Sequence, residues 1–173
     1  MFSLRKLFAA APDPREALRP LWNAVVHTAR APHWYQAGGV PDTLDGRFDM
    51  ISLVLALVLH RIDSDPAHTL AGVQLTELFV ADMDGQMRQI GFGDMVVGKQ
   101  VGRMVGALGG RLGAYRARDG SDEIKAALIR NLWRGQAPAE ANLAHVAAEV
   151  AALRRALAAT PVDALVTTDR LPA

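Results

Sequence analysis

Leu44, Phe48, Ile51, Leu55, Val58 and Ile62 follow one another at spacings of 4, 3, 4, 3 and 4, and Leu53, Val54 and Leu57 fill the other sides. That rhythm is the period of a helix, and a helix apolar nearly all round has to run through the middle of a fold. Its longest apolar stretch, residues 50–59, is ten residues long and includes Ser52. That is well short of the ~20 residues needed to span a bilayer. The segment therefore reads as a buried axis around which the rest of the chain is wound.

The remaining apolar spacing is helical as well. Asp13 and Pro14 supply a cap and a first-turn proline, and Leu18, Leu21, Val25 and Val26 mark a face that stops before Pro32. Pro20 leaves the start of that first helix open. Residues 32–46 hold His33, Trp34 and Tyr35 followed by Gly38, Gly39 and Pro41, too many breakers for an element, and read as a loop. A third helix is expected over about 70–90, ended by Gly91, and a fourth from Asp94 as cap to about Arg118. Ser121 and Asp122 open a fifth that closes at Trp133 with Gly135 beyond it. Pro138 opens the sixth, where Leu143, Val146, Val150, Leu153 and Leu157 make two heptads, fewer than a coiled coil requires. No alternating strand pattern occurs. The expected fold is all-α: a single compact domain of about six helices over residues 13–160, with a buried apolar second helix. Residues 1–12 are read as a tail or docked turn and 161–173 as a C-terminal tail. In the first of these, Arg5 and Lys6 precede only five apolar residues, fewer than the ~7–15 of a signal peptide's apolar region. Phe2, Leu4, Leu7 and Phe8 are free to dock on the core or to lie on a membrane interface.

Most chemistry is withdrawn as soon as it is offered. Nineteen basic against eighteen acidic residues leave a net charge of +1, so no field recommends nucleic acid. The chain has no cysteine, which removes disulfides, thiolate metal sites and any Cys nucleophile. Cytoplasmic placement is expected, with peripheral contact at the inner membrane left open. Gly93 to Gln100 falls one residue short of a phosphate-binding loop: Gln100 stands where Ser or Thr would hold magnesium, and the interior is Met95, Val96 and Val97. Asp82, Met83, Asp84 and Gly85 begin like a calcium loop, but the positions that need Gly and Glu hold Met87 and Gly93. Asp84 is instead placed to pair with Arg88 one turn on. The five histidines show no helical metal spacing. No cofactor is expected. The enzymatic alternative is a divalent-metal-dependent reaction using Asp42, Asp49, Asp82, Asp84 and Asp94.

The fourth helix is physically unusual. Gly98, Gly102, Gly106 and Gly110 recur every four residues, Gly109 and Gly113 join them, and no acid occurs from 95 to 118. Each helical Gly costs ~1 kcal/mol against Ala unless close approach of another backbone offsets it. The strip is either a seam filled by a neighbouring helix of the same domain or a groove for an apolar segment of another protein. Gly102 and Gly106 are expected in a seam. Lys99, Arg103, Arg111 and Arg116 are expected to face a partner, with Tyr115 beside them. Trp34 and Tyr35 either anchor a partner or pin the 32–46 loop to the core. Arg47 either touches a client or pairs with a carboxylate of the domain, and Phe48 is expected in the core.

Residues 40–50 (Val40-Pro41-Asp42-Thr43-Leu44-Asp45-Gly46-Arg47-Phe48-Asp49-Met50), then Asp82-Met83-Asp84, Arg88, Gly91-Phe92-Gly93-Asp94, Val97 and Lys99, resemble the ubiquinol–cytochrome c chaperone family. The likeness runs from about Trp34 to Trp133 and departs from the family pattern at Gln89 and at Leu108-Gly109-Gly110-Arg111. The resemblance implies a non-enzymatic assembly factor that holds newly made cytochrome b for the bc1 complex (ubiquinol–cytochrome c reductase). It also implies, for mitochondrial members, association with a small helper protein and the ribosome exit region.

Overall fold

Every residue from Asp49 to Leu59 is buried, so the helix that contains them is the axis its sequence calls for. The structure is a computed structural model and describes residues 13–89, 91 and 93–172. The expectations for Phe2, Leu4, Leu7 and Phe8 lie outside these residues. Among the described residues the chain forms eight α-helices and no strand. They are α1 (Arg19–Ala29), α2 (Pro32–Gln36), α3 (Leu44–Asp63), α4 (Thr69–Gln89), α5 (Asp94–Ala114), α6 (Asp122–Leu132), α7 (Glu140–Ala159) and α8 (Val162–Leu165). The axis is α3, and α1, α4, α5, α6 and α7 all pack against it. The six helices of eleven residues or more are the six expected from the periodicity.

Pro20 marks a change of helix type: residues Pro14–Leu18 form a 3-10 turn capped by Asp13, and α1 follows. The expected loop over 32–46 contains a short helix, α2, because Pro32 presets its first turn. Its aromatics serve α1, whose last carbonyls have no partner within the helix. Trp34 Nε1 donates to Thr28 O at 2.8 Å and the Tyr35 hydroxyl donates to Ala29 O at 2.9 Å. Asp94 is the first residue of α5 and Gly93 is its N-cap, one position earlier than expected. The helix also ends at Ala114, four residues before the expected Arg118, where Arg154 of α7 draws the carbonyls of Tyr115 and Ala117 to its guanidinium. The C-terminal segment is no loose tail, for Val162, Leu165 and Leu171 are buried in the main core.

At the head of α3, Thr43 caps the helix by accepting from Gly46 N at 3.1 Å. Gly46 can be nothing larger, because a Cβ there would stand 1.9 Å from the carbonyl oxygen of Pro41. Phe48, expected in the core, is only half-buried, with its ring 6.1 Å from that of Phe79. Gly46→Ala is expected to force the 41–46 backbone apart and lower stability by ~1–3 kcal/mol, the usual cost of overpacking. Urea unfolding checks this, and an unchanged midpoint would mean that the turn is held less tightly than its geometry shows.

Candidate functional site

Helix α5 is bound to the domain along one face. Val97, Val101, Leu108 and Tyr115 are buried, with Met104 and Leu112 partly so. Gly98, Gly102, Gly106 and Gly110 drift only about 40° per step, and with Gly109 and Gly113 they fall on the side away from that row. All six are exposed, and a Cβ added to any of them would meet none of the described residues within 4 Å. Among the described residues the seam expected at Gly102 and Gly106 does not form: the apolar row commits the other face of α5 to α3 and α4. Lys99 and Arg103 are exposed on the same helix, as are Val96 and Val105, the latter 39% accessible. The result is a strip of bare helical backbone flanked by two cations and two valines.

The other residues expected at a partner surface are dispersed, and three are withdrawn from it. Arg111 turns inward: its side chain is 11% exposed, its Nη2 donates to Asp49 Oδ1 at 2.5 Å, and its guanidinium lies 5.3 Å from the centre of the Phe48 ring. Tyr115 is fully buried. Trp34, 2% exposed, pins α2 to α1 and is no surface anchor. Tyr35 is half-buried with its hydroxyl on α1, and Arg47 is exposed and paired with Asp42 at 2.6 Å. Arg116 is exposed beside Asp63 at 3.6 Å, on a cleft of about 490 Å³ that also takes in Arg61 and Arg154. Those two guanidiniums are committed to backbone carbonyls where α5 and α7 end: Arg61 to Leu157 and Thr160, and Arg154 to Tyr115 and Ala117. They stabilise helix ends.

The five aspartates of the metal alternative are not brought together. Asp42 pairs with Arg47, Asp49 with Arg111, and Asp84 and Asp94 share Arg88 across the α4–α5 turn. Asp82 accepts from Gln86. Among the described residues no cluster of three or more His, Asp or Glu could hold a metal ion. No helix there is long and apolar enough to cross a membrane. Two contacts escape any reading of the sequence. His33 Nδ1 and His145 Nε2 lie 3.1 Å apart, joining α2 to α7, and His60 Nε2 donates to Leu112 O at 2.8 Å. Burial lowers the pKa of both His33 and His60.

A family model described as ubiquinol-cytochrome C chaperone matches residues 36–171. A crystal structure of the Cbp3 homolog from Brucella abortus superposes with a TM-score of 0.77 at 30% sequence identity, covering 91% of this chain and 89% of that one. Among curated proteins, none matches the chain at a significant level.

Asp49 is the ionisable centre of the site. Burial pushes its carboxyl up to about 6, against the pull of Arg111 and of Arg134, which lies 3.6 Å from it. Arg111 Nε, the Tyr115 hydroxyl, Asn131 Nδ2 and Ser52 Oγ are buried around or near it without a hydrogen-bond partner among the described residues. A carboxyl raised in the folded state binds a proton more tightly there than in the unfolded chain. Its contribution therefore favours folding below its folded pKa, and that advantage is lost as pH rises from about 4 to about 6. The buried histidines slope the opposite way over part of this range, so the comparison has to be made with Asp49→Asn. The margin of the parent over Asp49→Asn is expected to shrink between pH 4 and pH 6 in urea unfolding. A margin that widens with pH would mean that the guanidiniums outweigh burial.

Proposed function

The chain belongs to the ubiquinol-cytochrome C chaperone family, and from that premise we propose that it is a non-enzymatic assembly factor that holds cytochrome b during assembly of the bc1 complex. In this reading the client lies on the outer face of α5. The observation that carries it is the open glycine strip: six glycines of one helix are exposed, with no neighbour among the described residues to account for them. Each costs the free helix ~1 kcal/mol against Ala. None of the described residues offsets that cost, whereas the backbone of an apolar client helix can approach a face without side chains closely enough to do so.

The flanking charge suits such a client. Lys99 and Arg103 are exposed, and no carboxylate occurs on the chain from 95 to 118. A membrane-protein segment laid along the strip would meet no carboxylate of α5 beyond Asp94 at its start, and its polar ends could be steered by the two cations. Peripheral contact with the inner membrane, where such a client is inserted, belongs to the same reading.

Gly102→Ala and Gly106→Ala are expected to raise stability by ~0.4–1 kcal/mol each, since both sites are helical and open, and to reduce capture of cytochrome b from detergent-solubilised membranes. Lys99→Glu with Arg103→Glu is expected to weaken capture most at low salt, because exposed charges are screened over ~8–10 Å at physiological ionic strength. Thermal unfolding and affinity capture read the two effects separately. Stabilised variants that still capture cytochrome b in full would contradict the placement on α5, and a parent protein that captures none would contradict the proposed client.

A further inference from the structure

A second feature lies on the other flank of α5. Leu44, Phe48 and Ile51 of α3, Met83 and Met87 of α4 and Met104 of α5 line a pocket of about 160 Å³, together with Gln86 and with Asp45, whose charge is matched by Arg134 at 3.1 Å. Small-molecule and cofactor sites usually occupy ~300–1,000 Å³, so this one is too small for a cofactor and suits a single large side chain. Three of its six apolar walls are methionine, whose unbranched, polarizable chain adapts to the shape of what enters. Leu44 at its mouth is 51% exposed, an apolar side chain left in water at the first turn of the central helix.

The rim adds chemistry to this shape. Arg30 and Arg47 border the pocket and also line a neighbouring depression of about 290 Å³ with Tyr35, Gln36 and Asp42. The two hollows therefore meet at the guanidiniums. Arg47 is neutralised by Asp42 at 2.6 Å. Arg30 is exposed, and among the described residues no carboxylate lies within 4.0 Å of it. An adaptable apolar socket beside an unmatched cation is the complement of one kind of surface: a helix that presents a large apolar side chain with a carboxylate about one turn away.

We infer that this Met-lined pocket anchors one large apolar side chain of a partner helix, whose neighbouring carboxylate pairs with Arg30. The inference rests on the reading of the chain as a binder of other polypeptides, and adds to it a second contact of defined chemistry, separate from the glycine strip.

The test uses the full chain with ¹³C-methyl-labelled methionine and a synthetic helical peptide that carries Leu and Glu one turn apart. On titration the methyl signals of Met83, Met87 and Met104 are expected to move, while that of Met50, fully buried on α3, stays in place. Leu44→Glu and Arg30→Glu, both at solvent-exposed positions, are expected to keep the parent's melting temperature and to weaken the peptide roughly tenfold or more. Replacing the peptide's Glu by Lys should weaken binding to the parent, and Arg30→Glu should reverse that preference. Several outcomes would overturn the pocket. The methionine methyls could stay still while amides of the α5 glycines respond, which puts the peptide on the strip. They could shift with protein concentration alone, which makes a second copy the occupant. They could shift without peptide in Leu7→Glu and Phe8→Glu, which makes the chain's own first residues the occupant. Capture of cytochrome b that survives Leu44→Glu and Arg30→Glu unchanged would remove the pocket from client binding and leave the client reading standing. Failure of the parent to capture it would remove that reading instead.

Discussion

The buried pair between Asp49 on α3 and Arg111 on α5 fixes which face of α5 looks outward. Six glycines make α5 a poor helix on its own account, and along its length it is held by one apolar row from Val97 to Tyr115 and by this pair, with Arg88, His60 and Arg154 fastening its two ends. A buried ion pair contributes little net stability against an apolar replacement, but losing one partner strands the other charge and costs ~3–5 kcal/mol. Its effect is on register. Rotation of α5 that brought the glycines inward would pull Arg111 from Asp49 and from the Phe48 ring at once. The motif at the head of α3, in which Gly46 admits the Pro41 carbonyl and Asp49 receives Arg111, thus positions a helix distant from it in sequence.

Two kinds of glycine follow from the same structure. Gly46 is required by contact, since a backbone oxygen occupies the space of its Cβ. The glycines of α5 are required by none of the described residues, which leave that space open. A folded chain keeps the first for its own packing. The described residues give the second no rationale, and the strip therefore supports a reading in terms of a partner. Membership of a chaperone family agrees with that direction.

The helices that carry the core were legible because their apolar residues recur at the helical period over eleven residues or more. What was not legible depends on pairings across large separations or on direction within irregular chain. Arg111 and Asp49 are 62 residues apart and His33 and His145 are 112 apart, so no spacing announces either contact. Trp34 and Tyr35 in a Gly- and Pro-rich stretch could equally face outward, and what turns them in is the pair of carbonyls at the end of α1 that the helix itself leaves without partners. The glycine strip was recognised from its four-residue period, but its side was not. Counting residues cannot tell whether a flat helix face meets a neighbour or meets water. Arg111 shares a helix and a sign with Lys99 and Arg103, yet it falls on the inner edge of α5, and burial gives it a structural role where the sequence suggested a surface one.

Helix α5 is held on one face, and in the proposed function a client covers the other. Native-state hydrogen exchange resolves this directly. Amides of α3 should exchange only through global unfolding, those of residues 98–113 through a smaller opening of α5, and bound cytochrome b should slow the latter selectively. If residues 98–113 are as protected as α3 in the free protein, and bound cytochrome b leaves their exchange unchanged, α5 is an ordinary core helix and the account fails.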